Sequence, residues 1–146
     1  MATVFDVACY ILEQKSPLTT VKLQKLVYYC QAWSLVWDEQ PLFDEQIQAW
    51  ANGPVIPDLF KHHKGKFNIT KSNFSSLGKS KNLTPTQKET INSVLKYYGD
   101  KTAQWLVDLA HLEDPWRNAR ANCGCGEVCS NEITLGSMME YYSGLK

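Results

Sequence analysis

Residues Ser16 to Trp37 read SPLTTVKLQKLVYYCQAWSLVW, and the periodicity of this stretch decides the fold class. After a Thr19-Thr20 cap, Leu23, Leu26, Val27, Cys30, Trp33 and Trp37 recur at three- and four-residue spacing. That pattern predicts a long helix with an apolar stripe. Lys22, Lys25 and Gln31 fall mostly on its other faces. Cys30, on the stripe, reads as a small core residue.

Helical signals continue on both sides. Thr3 with Asp6 forms a capping pair for a first helix through Gln14. Thr84, Pro85 and Gln87 supply an N-cap, a first-position proline and a capping-box partner, and Gly99 ends the helix they start. Ile91, Val94, Leu95 and Tyr98 form its buried stripe. Asp100 is expected to cap the next helix, with Trp105, Leu106, Leu109 and Leu112 inward until Pro115 interrupts. Thr134 caps a last helix with Leu135, Met138, Met139 and Tyr142 inward. Between these, Phe43, Ile47, Ala49 and Trp50 fit either a short strand or a helical turn, and Asn52-Gly53-Pro54 is a turn. Pro57 opens a short helix to about His63. Residues 65–82, rich in Ser, Asn, Lys and Gly, predict a long exposed loop with a brief extended piece at KFNIT. The expectation is a mainly α, compact single-domain helical fold over residues 1–146, with at most a small β element.

Composition narrows function. The 146 residues are 44% hydrophobic and 21% charged with zero formal net charge, which gives no support to a nucleic-acid partner. No stretch is apolar enough for a membrane span, and the start lacks signal-peptide features, so the expected address is cytoplasmic with no membrane contact. Charge is nonetheless uneven. Asp38 to Phe60 carries acids and no Lys or Arg, whereas Lys61 to Lys81 carries six lysines, His62 and His63, and no acid. Solvated loops explain this, and so do complementary patches for a protein partner.

Three thiols crowd into CGCGEVC (123–129). Zinc sites use four ligands, usually as two separated pairs. Here Cys123, Cys125 and Cys129 stand on one side only, with His111 the nearest histidine. A Cys₃His site is the weaker reading, and a plain loop is favoured with no metal or cofactor. A disulfide between the loop cysteines is not expected in a reducing cytosol. A catalytic thiol needs a base and an orienting group, for which His111 with Glu113 or Asp114 are candidates, but no spacing demands them. The His62-His63 pair reads as a solvated helix end. No assembled active site is visible, so the chain is not expected to be an enzyme. Three tyrosine doublets, at 28–29, 97–98 and 141–142, each on a helix, leave room for an aromatic binding surface with one member facing outward.

Four stretches in order, TTVKLQKLVYYCQAW (19–33), PLFDEQIQAWANGPVIPDLF (41–60), YGDKTAQWLVDLAHLEDPWRNAR (98–120) and NEITLGSMMEYY (131–142), resemble the Panacea-domain family of phage-associated, SocA-like antitoxins. The resemblance runs from about residue 3 to residue 143. It implies an antitoxin that neutralises a cognate small protein toxin by direct binding, with delivery of the toxin to a cytosolic protease in some members. The extra DNA-binding domain that many members carry is not expected here. A DNA-binding regulator remains the alternative, from the faint helix-turn-helix character of SPLTTVKLQKLVYY. Carried over by motif, the partner-binding positions are Lys22, Lys25, Tyr28, Tyr29, Gln31 and Trp50, to which the tyrosine doublets add Tyr97. The structural positions are Gln24, Gly53, Pro54, His111, Glu113 and Trp116, with Gln24 or His111 expected to meet the turn backbone around Asn52-Gly53.

Overall fold

The Thr19 hydroxyl accepts the Lys22 N–H at 3.1 Å and starts the helix α2, Thr20–Trp37. In the computed structural model, which describes residues 2–124 and 126–145, α2 is the axis of the molecule. The other elements follow in the order α1 (Val4–Gln14), β1 (Leu18–Thr19), α2, β2 (Gln48–Trp50), β3 (Gly53–Val55), α3 (Pro57–Phe60), β4 (Asn68–Ile69), α4 (Pro85–Tyr98), α5 (Ala103–Leu112), α6 (Asp114–Ala119) and α7 (Leu135–Ser143). The chain is mainly α. Its β content is two antiparallel pairs, Leu18 opposite Ile69 and Thr19 opposite Asn68, then Gln48 opposite Val55 through Trp50 opposite Gly53. Among the described residues no helix is long and apolar enough to cross a membrane.

The predicted caps form. Thr3 and Asp6 close a capping box on α1, as do Thr84 and Gln87 on α4. Such caps are worth about 1 kcal/mol each because they satisfy N–H groups that a helix start otherwise leaves orphaned. The cap of α5 differs from expectation. Thr102, not Asp100, accepts the Trp105 N–H, because the chain makes one further turn after Gly99.

Helix α2 is sheathed by α1, α4, α5, α7 and β3, and every residue from Leu23 to Val36 is buried. A helix covered on all sides has no wet face, so its polar residues lie inside. Trp37, placed on the stripe, instead lies exposed at the helix end. A recognition helix needs an open face to enter a groove. With Leu23 to Val36 wrapped in this way, α2 reaches the surface at its first turn and at Trp37.

The segment 65–82 is not simply an exposed loop. Ile69 and Phe74 are buried in the core. Two 3₁₀ turns, Lys71–Asn73 and Ser80–Asn82, lay the segment along α1. Gly78 approaches the α1 backbone so closely that a β-carbon there would lie 2.6 Å from the Phe5 carbonyl carbon. The Asp6 carboxylate accepts from the Lys79 N–H at 2.8 Å and the Asn82 amide at 3.1 Å. Burial pushes the Asp6 pKa up, but these bonds and those from Thr3 outweigh it and hold the pKa below the ordinary value. The inward expectations for α5 and α7 also change. Leu106 and Met138 are buried as predicted, whereas Trp105, Leu112, Leu135 and Met139 are exposed. Both helices lie on the outside of α2 and bury a narrower stripe than their apolar content suggests.

Candidate functional site: a cleft with a buried lysine

The turn Asn52-Gly53-Pro54 returns β2 into β3, with Gly53 at φ +113°. That left-handed conformation suits glycine. A β-carbon there would also lie 2.7 Å from Lys25 Cε, so the absent side chain makes room for the lysine stem. Lys25 reaches past Gly53 and donates to the Pro54 carbonyl at 2.9 Å. Its side chain is 1% exposed. Burial alone lowers its pKa from 10.5 to about 7. The Pro54 carbonyl of the turn is therefore bonded by Lys25 and not by Gln24, while His111 meets the backbone at neighbouring Ala51.

Gln24 serves the next stretch of backbone. Its Oε1 accepts the Ile56 N–H at 2.8 Å and its Nε2 donates to the Ile56 carbonyl at 3.3 Å. This fixes the amide orientation, so the same Nε2, 2.9 Å from His63 Nε2, is the donor in that contact too. His63 Nε2 must then be unprotonated and the ring neutral. Burial first, with Lys25 adding to it, lowers the His63 pKa. His63 is thus a buried acceptor and not a solvated helix end. His62 is exposed and meets Phe5 edge-on.

These residues form the floor of a cleft of about 470 Å³. Its walls are the first turn of α2 (Thr20, Val21), the β2–β3 hairpin (Trp50 to Asn52, Val55), Phe60 of α3, and Gly126 with Val128 to Ser130. Trp50 packs edge-on to Phe60, with ring centroids 4.9 Å apart. Among the described residues lining it there is no Asp, Glu or Arg, and its bases are Lys25 and His63.

The cysteine segment forms one wall. Arg120 holds it, donating to the Ala49 carbonyl at 2.9 Å, the Glu127 carbonyl at 2.6 Å and the Gly124 carbonyl at 3.3 Å. Asn131 ties it back to α6 through the Ala119 carbonyl at 2.9 Å, and its own carbonyl accepts from the Ala49 N–H at 2.9 Å. Cys123 and Cys129 are joined as a disulfide, which overturns the expectation of free thiols. The chain turns back over Gly124 and Gly126, so the two α-carbons are 6.2 Å apart, within reach of a bridge. The weaker Cys₃His reading loses its ligands accordingly. Cys125 lies outside the described residues, and among those described no group of three or more His, Cys, Asp or Glu could hold a metal ion. His111 instead stacks on Trp116 at 4.1 Å, with Nε2 buried and unpartnered. Burial lowers its pKa, against a bond to the Ala51 backbone that raises it. Trp116 Nε1 donates to the Trp50 carbonyl at 2.7 Å. Both residues meet the hairpin backbone, His111 at Ala51 and Trp116 at Trp50.

Glu113 and the tyrosines lie one helical turn further along α2. Tyr29 and Tyr142 each donate to Glu113 Oε1 at 2.7 Å. With its proton so used, Tyr142 accepts from Tyr28 at 2.9 Å. Burial raises the Glu113 pKa, although the two tyrosine bonds oppose it. Burial likewise pushes the Tyr28, Tyr29 and Tyr142 hydroxyls far above their ordinary range.

Of the seven residues expected to bind a partner, Lys25, Tyr28, Tyr29 and Gln31 are buried, and the expectation that they present an outward surface is corrected. Gln31 is a strut, accepting the Leu42 N–H at 2.7 Å and donating to the Phe43 carbonyl at 2.8 Å. Lys22 is half-buried and ties α2 to the end of α4 through the Gly99 carbonyl at 2.7 Å. Trp50 lines the cleft, while Tyr97 is 63% exposed on α4, away from it. Of the seven, Lys25 and Trp50 line the cleft, whereas Tyr28 and Tyr29 meet in the buried Glu113 cluster. Gln24, His63, Val55, Phe60 and Val128 line the cleft with the first two. His63 and Val128 carried no periodic signal that could have announced them.

No curated protein and no solved structure gave a match. A family model described as "Antitoxin SocA-like, Panacea domain" matches residues 23–117, a span that contains Lys25, Gln24, the hairpin, α3 and the helix break at Glu113. That match covers more than half of the chain, and the chain belongs to the SocA-like antitoxin, Panacea-domain family.

Proposed function

We propose that this chain is the antitoxin of a toxin–antitoxin pair and neutralises a cognate small protein toxin by stoichiometric binding. Membership of an antitoxin family over residues 23–117 carries the reading. The cleft supports it, because an aromatic-walled concavity on a rigid frame is the kind of surface on which a few anchors supply most of the binding energy. In this proposal the chain is a binder and not an enzyme, works in the cytoplasm, and needs no cofactor. Delivery of the bound toxin to a cytosolic protease is a further step compatible with the same complex.

Co-expression tests it. The small protein encoded beside this chain's gene should arrest growth when expressed alone, co-purify with the chain in equal amounts, and lose its toxicity when the chain is present. A neighbour that is toxic yet neither bound nor relieved would sink the proposal.

A further inference from the structure

Lys25 is a buried amine in the cleft wall with no acidic partner among the described residues that line the cleft. An ammonium carries three N–H donors, and one is used, on the Pro54 carbonyl. Burying an ammonium without a counter-charge is costly, and folded proteins normally pair such groups. Here no Asp or Glu among the described residues lines the cleft. The apolar lining of the cleft is Val21, Trp50, Val55, Phe60 and Val128, interspersed with the neutral polar side chains of Thr20, Gln48, Asn52 and Ser130. The missing partner is therefore a single negative charge attached to something apolar. Phosphate fits poorly, since a dianion would give up its hydration for a single ammonium.

We propose that the cleft receives the C-terminal end of the toxin chain, with the terminal carboxylate on the Lys25 ammonium and apolar last residues against Trp50 and Phe60. The inference rests on the antitoxin reading and names the part of the partner that is gripped. Capture of a chain end by a fixed cation and a side-chain pocket is an established recognition mode. The rim favours a chain end over a free small acid. Val128 is 100% exposed and Val21 is 40% exposed at the mouth. Phe67, 74% exposed, adjoins it through its carbonyl, which accepts the Thr20 N–H at 2.9 Å. A small acid inside would leave that apolar rim wet, whereas a polypeptide leaving the cleft covers it.

Proton linkage supplies a signature. With its pKa at about 7 in the free protein, Lys25 is increasingly neutral above that pH, and a bound carboxylate must draw a proton onto it. The titratable or charged groups near it are His63 beyond α3, His111 on α5 and Arg120 after α6. The two histidines are held neutral in this range by burial, so they do not supply the effect. Affinity for a carboxylate should fall about tenfold per pH unit above pH 7.

The test uses calorimetry with the neighbouring gene's product and with its C-terminal octapeptide. Native toxin should bind, and extending its C-terminus by Gly-Ser-Gly-Ser should weaken binding about 30-fold or more. The octapeptide as free acid should bind about 30-fold more tightly than as amide, and Lys25→Met should bind both alike with unchanged circular dichroism. The acid–amide comparison on the wild-type chain needs no variant, so a misfolded Lys25→Met does not blunt it. Toxin that binds equally with a free or extended end, with acid and amide indistinguishable, overturns the inference and leaves the antitoxin reading intact. Toxin that does not bind at all overturns both. Binding of 4-phenylbutyrate at Trp50, with the toxin indifferent to its chain end, assigns the cleft to a small monocarboxylate and overturns the chain-end assignment.

Discussion

Lys25 and Tyr29 stand one turn apart on α2, and each leads to a buried charge in a different setting. Beyond Tyr29, the Glu113 carboxylate accepts two hydroxyl protons, and a third tyrosine completes a relay closed on every side. Beyond Lys25, one backbone carbonyl meets the ammonium of a buried residue that lines a cleft without acids among its described lining residues. A satisfied network rigidifies and specifies a core. A half-satisfied one costs stability, and a protein that keeps it in a cleft gains a place where a ligand can complete it. The contrast separates a structural cluster from the proposed binding site, although both are built from motif residues on the same helix.

The sharpest way to break the contrast is Glu113→Ala. It strands the Tyr29 and Tyr142 hydroxyls in the core and should cost about 3 kcal/mol of stability by urea unfolding. Toxin affinity of the folded fraction should stay the same. An equal loss of affinity would mean that the cluster belongs to the binding site after all.

Lys25→Met should do the opposite. Replacing an unanswered buried charge by an apolar chain of similar length should raise stability at pH 6 by about 2 kcal/mol. The sign follows from the lowered pKa. Between about pH 7 and 10.5 the unfolded chain holds a proton that the folded one does not, so wild-type stability rises with pH across that window and the penalty is full below it. The variant should lose this slope, as read by thermal melts at pH 6, 8 and 10. Glu113 acts in the other direction. Its raised pKa gives a contribution present below 4.5 and lost as pH rises through the folded value.

Trp50→Ala removes an aromatic wall from the cleft while leaving the Trp50 carbonyl that Trp116 uses. A loss of toxin affinity of about tenfold is expected, with a smaller change in melting temperature. Tyr97→Ala should be the smallest effect, under about 0.5 kcal/mol in stability and without change in affinity, because the ring is exposed and far from the cleft. If Tyr97→Ala weakens the complex more than Trp50→Ala does, the docking face lies on α4 and the cleft is not its centre.

Caps and turns were legible because their chemistry is local. Thr3 with Asp6, Thr84 with Pro85 and Gln87, and Gly53 in the hairpin each satisfy a backbone requirement within four residues. The functional pairing was not legible in that way. Amphipathic periodicity assumes one dry face and one wet face, which holds for α4 and fails for α2. Lys25, Gln31 and Tyr28 therefore read as outward and lie inside. The tyrosine doublets show the same divide. Tyr97 and Tyr98 split between solvent and core as expected, whereas Tyr28 and Tyr29 are both buried.

By itself the sequence determined where α1, α2, α4 and α7 begin, where the hairpin turns, and to which family the chain belongs, since these depend on short patterns and their order. Tertiary structure alone decided which charges are buried, that Cys123 and Cys129 meet, and that Lys25, His63, Trp50 and Val128 share one cleft. Those facts depend on residues as many as about 100 positions apart being packed around α2, and no local pattern encodes what surrounds a helix on its far side.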